Sequence, residues 1–183
     1  SGIGATVGGG GSTRAASGAV CSICNNNASG EFSTVSGGTG NTASGGSSTV
    51  GGGKRNTASN STSTVSGGMN NMASAANSTV GGGYGNTAAS NDSTVSGGNT
   101  NTASGGFSTV SGGTFNRALA NSSTVSGGYT NIANSDYSTV IGGYGNTAGG
   151  ADSTVGGGRS NCAGGAASWA GGTGAKIRPG TGL

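Results

Sequence analysis

Three consecutive segments of the chain repeat one pattern: "STVSGGTGNTASGGS" at residues 33–47, "STVGGGKRNTASNST" at 48–62 and "STVSGGMNNMASAAN" at 63–77. The triplet Ser-Thr-Val returns nine times at a spacing of fifteen residues, from Ser33 to Ser153, without insertion or deletion. The chain has 183 residues, 45 of them glycine. A glycine-rich chain with so strict a period is typical of a repeat protein rather than of disorder.

A repeat of fifteen residues is too short for a helical solenoid, which needs about 30 residues or more per repeat. Collagen and polyproline structures are excluded because glycine is not at every third position and the chain has one proline. One coil of a β-solenoid fits the length, with two short strands whose side chains alternate between inside and outside. The sequence therefore predicts an all-β protein, a parallel β-solenoid of eleven to twelve coils.

The fixed positions of the repeat predict its interior. Val35 and Ala43 are the first members of two constant columns. Side chains of a strand alternate between its two faces, so each column lies on one face of its sheet, and these two apolar columns are predicted to point inward. The paired glycines that begin with Gly37 and Gly38 are expected at corners, where positive φ or close backbone approach is needed. Asn41 heads a third constant column, predicted to form an amide ladder that bonds to the coils above and below. Residues 1–32 read as irregular N-terminal coils, 33–167 as nine regular repeats, and 168–183 as a terminal turn with an extended tail.

One Val and one Ala per coil make a thin core, so the chain is not expected to be a stable monomer. One outward column holds Thr in all nine repeats, whereas the outward column that begins at Thr42 also accepts Met, Arg, Ile and Cys. The constant column is therefore predicted to be the face between chains of a homotrimer. It consists of Thr34, Thr49, Thr64, Thr79, Thr94, Thr109, Thr124, Thr139 and Thr154.

Composition argues against most chemical functions. The chain has no His, 6% charged residues and a formal net charge of +3. Its seven basic residues are scattered along the sequence without interleaved aromatics, so nucleic-acid binding is not expected. The four acids, Glu31, Asp92, Asp136 and Asp152, form no catalytic motif, although the last two fall near one corner on adjacent coils. We expect no enzyme activity, no cofactor, no metal site and no membrane span.

The three cysteines are candidates for bonds between chains. Cys21 and Cys24 form a C-x-x-C pair near one end, and Cys162 lies more than nine coils away, at an outward position. At about 4.8 Å per coil that separation is about 45 Å, far beyond the reach of a disulfide. Cys21 and Cys24 can instead form a local disulfide or stay as free thiols, and the odd count of cysteines leaves an inter-chain bond or one free thiol. The sequence starts without an initiator Met, which is typical of a processed or partial chain.

Aromatic residues gather in two columns. Tyr84, Tyr129 and Tyr144 occupy one, and the other holds Phe32, Phe107 and Tyr137. Two interpretations remain open: the rings pack on one another between coils, or they form a sticky surface stripe for ligands or neighbouring chains.

The repeat resembles the head-domain repeats of trimeric autotransporter adhesins. The stretch "STVSGGTGNTASG" places Val35, Gly38, Ala43 and Gly45 on that family's Val, Gly, Ala and final Gly positions, and the likeness covers roughly residues 5–176. The resemblance implies a left-handed parallel β-roll, three rolls packed about an axis, and a surface that mediates adhesion. The period here is fifteen rather than the family's usual fourteen, Gly37 replaces a bulky Ile, and no neck, stalk or anchor segment follows.

Two functions follow as hypotheses. The first is a non-enzymatic, extracellular or cell-surface structural and adhesive protein. Its partners would be copies of itself and a host or surface ligand, and its trimers would stack head to tail into a fibre. The alternative is an ice-binding protein that uses the column beginning at Thr34. Ice-binding β-solenoids usually present Thr-x-Thr in each coil, and here the second position alternates mainly between Ser and Gly.

Overall fold

The computed structural model describes residues 3–9 and 25–180. It shows an all-β parallel solenoid with a period of about fifteen residues and, in the described part of the chain, no helix. The described residues build about ten coils, fewer than the eleven to twelve predicted, and residues 10–24 lie outside the description. Each coil contributes two strands of two residues.

The strands form two parallel sheets of eleven strands each. The first, called the Val sheet below, consists of β1 (Thr6–Val7), β3 (Thr34–Val35), β5 (Thr49–Val50), β7 (Thr64–Val65), β9 (Thr79–Val80), β11 (Thr94–Val95), β13 (Thr109–Val110), β15 (Thr124–Val125), β17 (Thr139–Val140), β19 (Thr154–Val155) and β21 (Trp169–Ala170). Equivalent residues of successive coils face each other, as in Thr94↔Thr109 and Val95↔Val110.

The second, called the Ala sheet, consists of β2 (Asn27–Ala28), β4 (Thr42–Ala43), β6 (Thr57–Ala58), β8 (Met72–Ala73), β10 (Thr87–Ala88), β12 (Thr102–Ala103), β14 (Arg117–Ala118), β16 (Ile132–Ala133), β18 (Thr147–Ala148), β20 (Cys162–Ala163) and β22 (Lys176–Ile177). The Val and Ala columns of the two sheets pack against each other in one continuous core.

Two edges connect the sheets. The ladder edge leads from each Val-sheet strand to the Ala-sheet strand of the same coil, and it carries single parallel bridges such as Tyr129↔Tyr144. The turn edge leads from the Ala sheet to the next Val-sheet strand. Because the edges join opposite ends of the strands, they lie on opposite sides of the solenoid.

The core contains more than the predicted Val and Ala columns. The Ser that begins each repeat and the Asn column are also buried, with Ser93 and Asn101 both 0% exposed. The interior of each coil is therefore half polar, and these polar groups need hydrogen-bond partners.

The Asn column bonds to backbone rather than forming the predicted ladder of amide to amide. Asn101 Oδ1 accepts from the Asn116 backbone N–H at 2.9 Å. Its Nδ2 donates to the carbonyls of Gly97 and Gly113, each at 2.9 Å. The prediction that each Asn bonds to its neighbouring coils is confirmed, but the partners are main-chain groups, because a backbone N–H and two carbonyls converge on the buried side chain.

The turn edge is closed by the buried Ser column. Ser93 donates through its backbone N–H and its Oγ to the carbonyl of Ser90, at 3.1 and 2.5 Å. The residue before each such Ser adopts a left-handed conformation, as Asp92 does with φ of 58°. One left-handed residue in each turn thus redirects the chain from the Ala sheet to the next strand of the Val sheet.

The second glycine of each pair occupies the predicted corner. Gly83 has φ of +86°, and an added Cβ would lie 2.1 Å from the carbonyl oxygen of Gly98 in the next coil. Both the dihedral angle and the close approach of the coils therefore require glycine at this column.

Candidate interaction surfaces

The outer face of the Val sheet, called the Thr face below, is the most regular surface of the solenoid. Its nine predicted Thr residues lie in register and are half-buried, and Thr6 extends the row by pairing with Thr34. The row ends where Trp169, 60% exposed, pairs with Thr154. The result is a continuous, in-register row of hydroxyl and methyl groups at about 4.8 Å spacing.

The first glycine of each pair borders the Thr face, and in several coils the chain itself does not require it. A Cβ added at Gly67 or Gly112 would meet nothing within 4 Å, and neither residue has a positive φ. Other coils do use the freedom of glycine here, as Gly157 does with φ of 126°. Every one of the nine repeats nevertheless has glycine at this position. Between this glycine and the Thr-Val strand stands an exposed residue that is Ser or Gly in eight of the nine repeats and Ile141 in the other. Small residues thus border the Thr face in most coils, which allows another surface to approach the backbone closely there.

The outer face of the Ala sheet is mixed. Met72 is 44% exposed, Arg117 is exposed, and Ile132 and Cys162 are half-buried among Thr residues of the same column. This face tolerates bulk, charge and a thiol, in contrast to the Thr face.

The predicted tyrosine stripe is partly assembled. Tyr129 and Tyr144 stack on the ladder edge with ring centroids 5.3 Å apart and planes 9° apart. Phe115 meets Tyr129 edge to face at 5.8 Å, and the Arg159 guanidinium lies 5.2 Å above the Tyr144 ring. Tyr84 is exposed on the same edge, separated from Phe115 by the coil of Asn99 and from Tyr129 by the coils of Asn99 and Thr114. Sequence reasoning missed Phe115 and Arg159, which the bridge register Thr114↔Tyr129 and Tyr144↔Arg159 places beside the stripe.

The second aromatic column lies on the turn edge. Phe32, Phe107 and Tyr137 are 59%, 67% and 63% exposed, and each has a positive φ. They are several coils apart and, within the described residues, make no ring contact with one another.

The charges are separated between the two edges, which the linear sequence conceals. All four acids, Glu31, Asp92, Asp136 and Asp152, are exposed on the turn edge. The basic residues Lys54, Arg55 and Arg159 are exposed on the ladder edge. Arg117 and Lys176 are exposed at the first position of Ala-sheet strands, next to the ladder edge. The solenoid therefore has an acidic side and a basic side. Among the described basic residues Arg178 is the exception, because it follows β22 at the start of the turn edge.

Two of the acids are neighbours on the turn edge. Asp136 and Asp152 lie on adjacent coils, where the Asp152 backbone N–H donates to the Asp136 carbonyl at 3.0 Å. Among the described residues, no three His, Cys, Asp or Glu side chains are close enough together to hold a metal ion.

The cysteines are only partly visible. Cys162 has a free, half-buried thiol on the Ala sheet. Cys21 and Cys24 lie outside the described residues.

Comparison with known proteins finds no family model that matches this chain and no characterised sequence significantly similar to it. The likeness to adhesin head repeats therefore depends on the repeat residues alone. Nowhere in the described residues is there a helix long and apolar enough to cross a membrane.

Proposed function

We propose that this protein is a non-enzymatic, extracellular structural and adhesive protein whose chains associate into a homotrimer through the Thr face. The observation that carries the proposal is the contrast between the two outer faces. Nine coils keep Thr in register on one face, whereas the other accepts Met, Arg, Ile and Cys. A column that admits a single residue type is typical of packing against another regular surface, and a copy of the same chain supplies the same ~4.8 Å repeat.

The glycine that borders the Thr face supports close packing. At Gly67 and Gly112 an added Cβ would have open space around it and φ is not positive, so the chain itself gives no reason for glycine there. A neighbouring chain seated on the Thr face does give one, because each added Cβ would hold the two backbones apart.

Trimers of this kind would stack head to tail into a fibre at the cell surface, with the exposed stripe of Tyr84, Tyr129 and Tyr144 available to a host or surface ligand. In the described residues, β21 and β22 each pair on one side only, as do β1 and β2. Open strand edges favour the addition of another solenoid. The proposal also includes a left-handed coil for this chain, as in the adhesin heads.

Substitution of the Thr face tests the trimer. We expect Thr79→Arg/Thr94→Arg/Thr109→Arg to give a folded chain whose mass by light scattering is that of a monomer, because each Arg separates the packed faces. The matched control is Thr87→Arg/Thr102→Arg on the Ala sheet, a column that already contains Arg117. The control should keep the trimeric mass. A wild-type chain that is a folded monomer at all concentrations would contradict the proposal.

Ice binding is the second candidate, favoured by one observation: the Thr row is in register and only half-buried. In this case the face would meet an ordered water lattice instead of a chain. Thermal hysteresis in the wild type that disappears in the Thr79→Arg/Thr94→Arg/Thr109→Arg variant would support ice binding. A trimeric wild type without thermal hysteresis would contradict ice binding and agree with the structural function.

A further inference from the structure

The acidic and basic edges carry their charges with the same spacing along the solenoid axis. Coils are numbered here by the Ser of Ser-Thr-Val, with coil 1 starting at Ser33, coil 10 at Ser168, and residues 25–32 closing coil 0. The acids Glu31, Asp92, Asp136 and Asp152 then fall in coils 0, 4, 7 and 8.

The basic positions fall in coils 2, 6, 9 and 10. Lys54 and Arg55 share coil 2, Arg117 is in coil 6, Arg159 in coil 9, and Lys176, which pairs with Cys162 of the preceding coil, in coil 10. The intervals are four, three and one coils on both edges. The basic pattern is therefore the acidic pattern moved by two coils, a displacement of no more than about 10 Å along the axis.

We propose that two copies of this chain associate side by side in the same direction, turn edge against ladder edge, with a stagger of two coils. In this register Glu31 meets Lys54 and Arg55, and Asp136 meets Arg159. Asp92 meets Arg117, and Asp152 meets Lys176. Among the described residues, none of the four acids forms an ion pair within its own chain. Asp92 Oδ1 accepts from Asn77 Nδ2 at 3.1 Å and Asp136 Oδ1 from the Asn121 backbone N–H at 3.0 Å, so in these two the other carboxylate oxygen is the one available to a neighbour.

The aromatic residues agree with the same register. Phe107 of coil 5 falls opposite Tyr129 of coil 7, and Tyr137 of coil 7 falls opposite Arg159 of coil 9. Phe32 of coil 0 falls opposite Lys54 and Arg55 of coil 2. Each of these exposed rings thus meets a ring or a cation, contacts that are favourable at an interface.

Other arrangements pair fewer charges. Every other stagger of parallel chains places at most two of the acidic coils (0, 4, 7, 8) opposite basic coils (2, 6, 9, 10). The best antiparallel arrangement pairs three, coil 0 with 10, 4 with 6 and 8 with 2, and leaves Asp136 opposite Met69. Parallel chains with a two-coil stagger pair all four.

This contact is independent of the proposed trimer. A three-fold axis relates chains at equal height, so a staggered contact joins chains that the axis does not relate. It is heterologous and does not close, which extends an assembly sideways into a sheet or bundle.

Carbodiimide cross-linking of the wild-type protein tests the register, because this reagent joins carboxylates to lysines and the chain has only Lys54 and Lys176. An equal mixture of isotopically light and heavy chains identifies bonds between chains. We expect mixed-isotope peptide pairs Glu31–Lys54 and Asp152–Lys176 at about 10 mM salt, and their loss at about 1 M, where the Debye length falls from ~30 Å to ~3 Å. Pairs Glu31–Lys176 and Asp152–Lys54 report the antiparallel arrangement and would overturn the proposal, as would an assembly mass that salt does not change.

Variants that exchange charges provide a second test of the two-coil stagger. Asp136→Lys alone should weaken lateral association at low salt at least tenfold. Asp136→Lys/Arg159→Glu should restore it, since the two sites face each other. The matched control Asp136→Lys/Lys54→Glu exchanges one acid and one base that are not opposite, and should not restore it. Circular dichroism verifies the fold of each variant. Equal association of both double variants would show that only net charge matters and that the register is wrong. A monomer at high salt would refute the trimer without affecting this test.

Discussion

At the scale of single residues, glycine and asparagine fix the shape of the coil. The second glycine of each pair is required twice over, by its dihedral angle and by the carbonyl of the next coil. The Asn column has no freedom either, since its amide meets one N–H and two carbonyls that have no other side-chain partner. These two columns explain why the period survives while the surrounding positions vary.

Substitution of a second glycine should be severe. We expect Gly83→Ala to lower the free energy of unfolding by about 3 kcal/mol or more, because φ of +86° and a carbonyl 2.1 Å from the new Cβ both oppose a side chain. Gly46→Ala is the control: its Cβ meets nothing within 4 Å, and Ala already stands at the equivalent Ala76. Denaturant unfolding of the two variants should differ clearly, and equal stability would show that the coils separate easily.

Removal of one buried amide should also destabilise the coil. Asn101→Ala leaves the buried Asn116 N–H without its acceptor. The half-buried Gly97 carbonyl also loses this donor, whereas the exposed Gly113 carbonyl keeps the Asn99 N–H. At about 1–3 kcal/mol for a buried unsatisfied group, we expect a loss of about 1–3 kcal/mol. The exposed Asn91→Ala should change stability by less than about 0.5 kcal/mol. A small effect of Asn101→Ala in chemical denaturation would mean that water replaces the amide.

At the scale of the elements, the period predicted the solenoid, and parity predicted the Val and Ala interior. The Ser that begins each repeat lies two positions before the inward Val, so the same alternation also places it inside. This was overlooked because Ser is usually exposed. The partners of Asn were misjudged because the sequence does not show where a main-chain carbonyl points. The charge pattern was missed for a different reason. Charged residues that look scattered along the chain fall on two edges when each is placed by its position within the fifteen-residue repeat.

Trp169 reports on the Thr face at this scale. It is the single Trp of the chain, 60% exposed, and continues the Thr row beyond Thr154. In the proposed trimer it is covered by neighbouring chains, so its fluorescence should be blue-shifted relative to the Thr79→Arg/Thr94→Arg/Thr109→Arg variant. The Thr87→Arg/Thr102→Arg control should emit like the wild type. Identical, solvent-like emission from all three proteins would place the Thr face in water.

At the scale of the whole molecule, the surfaces divide the possible contacts among copies. The Thr face is suited to packing about an axis, the charged edges to lateral association, and the open ends to stacking. Each kind of contact uses different residues, so each can be removed without the others.

Stacking also brings distant cysteines within reach. Cys162 lies in the coil before the last, and Cys21 and Cys24 belong to the opposite end of the sequence. The spacing of more than nine coils in the sequence predicts a separation of about 45 Å within one chain, too far for a disulfide. We therefore propose that head-to-tail stacking pairs Cys162 of one chain with the C-x-x-C of the next. We expect a ladder of multimers on a non-reducing gel after oxidation, collapse to one band on reduction, and loss of the ladder in Cys162→Ser. The control Thr147→Ser, on the adjacent Ala-sheet strand, should keep it. A single monomer band with three thiols open to alkylation would rule out covalent stacking.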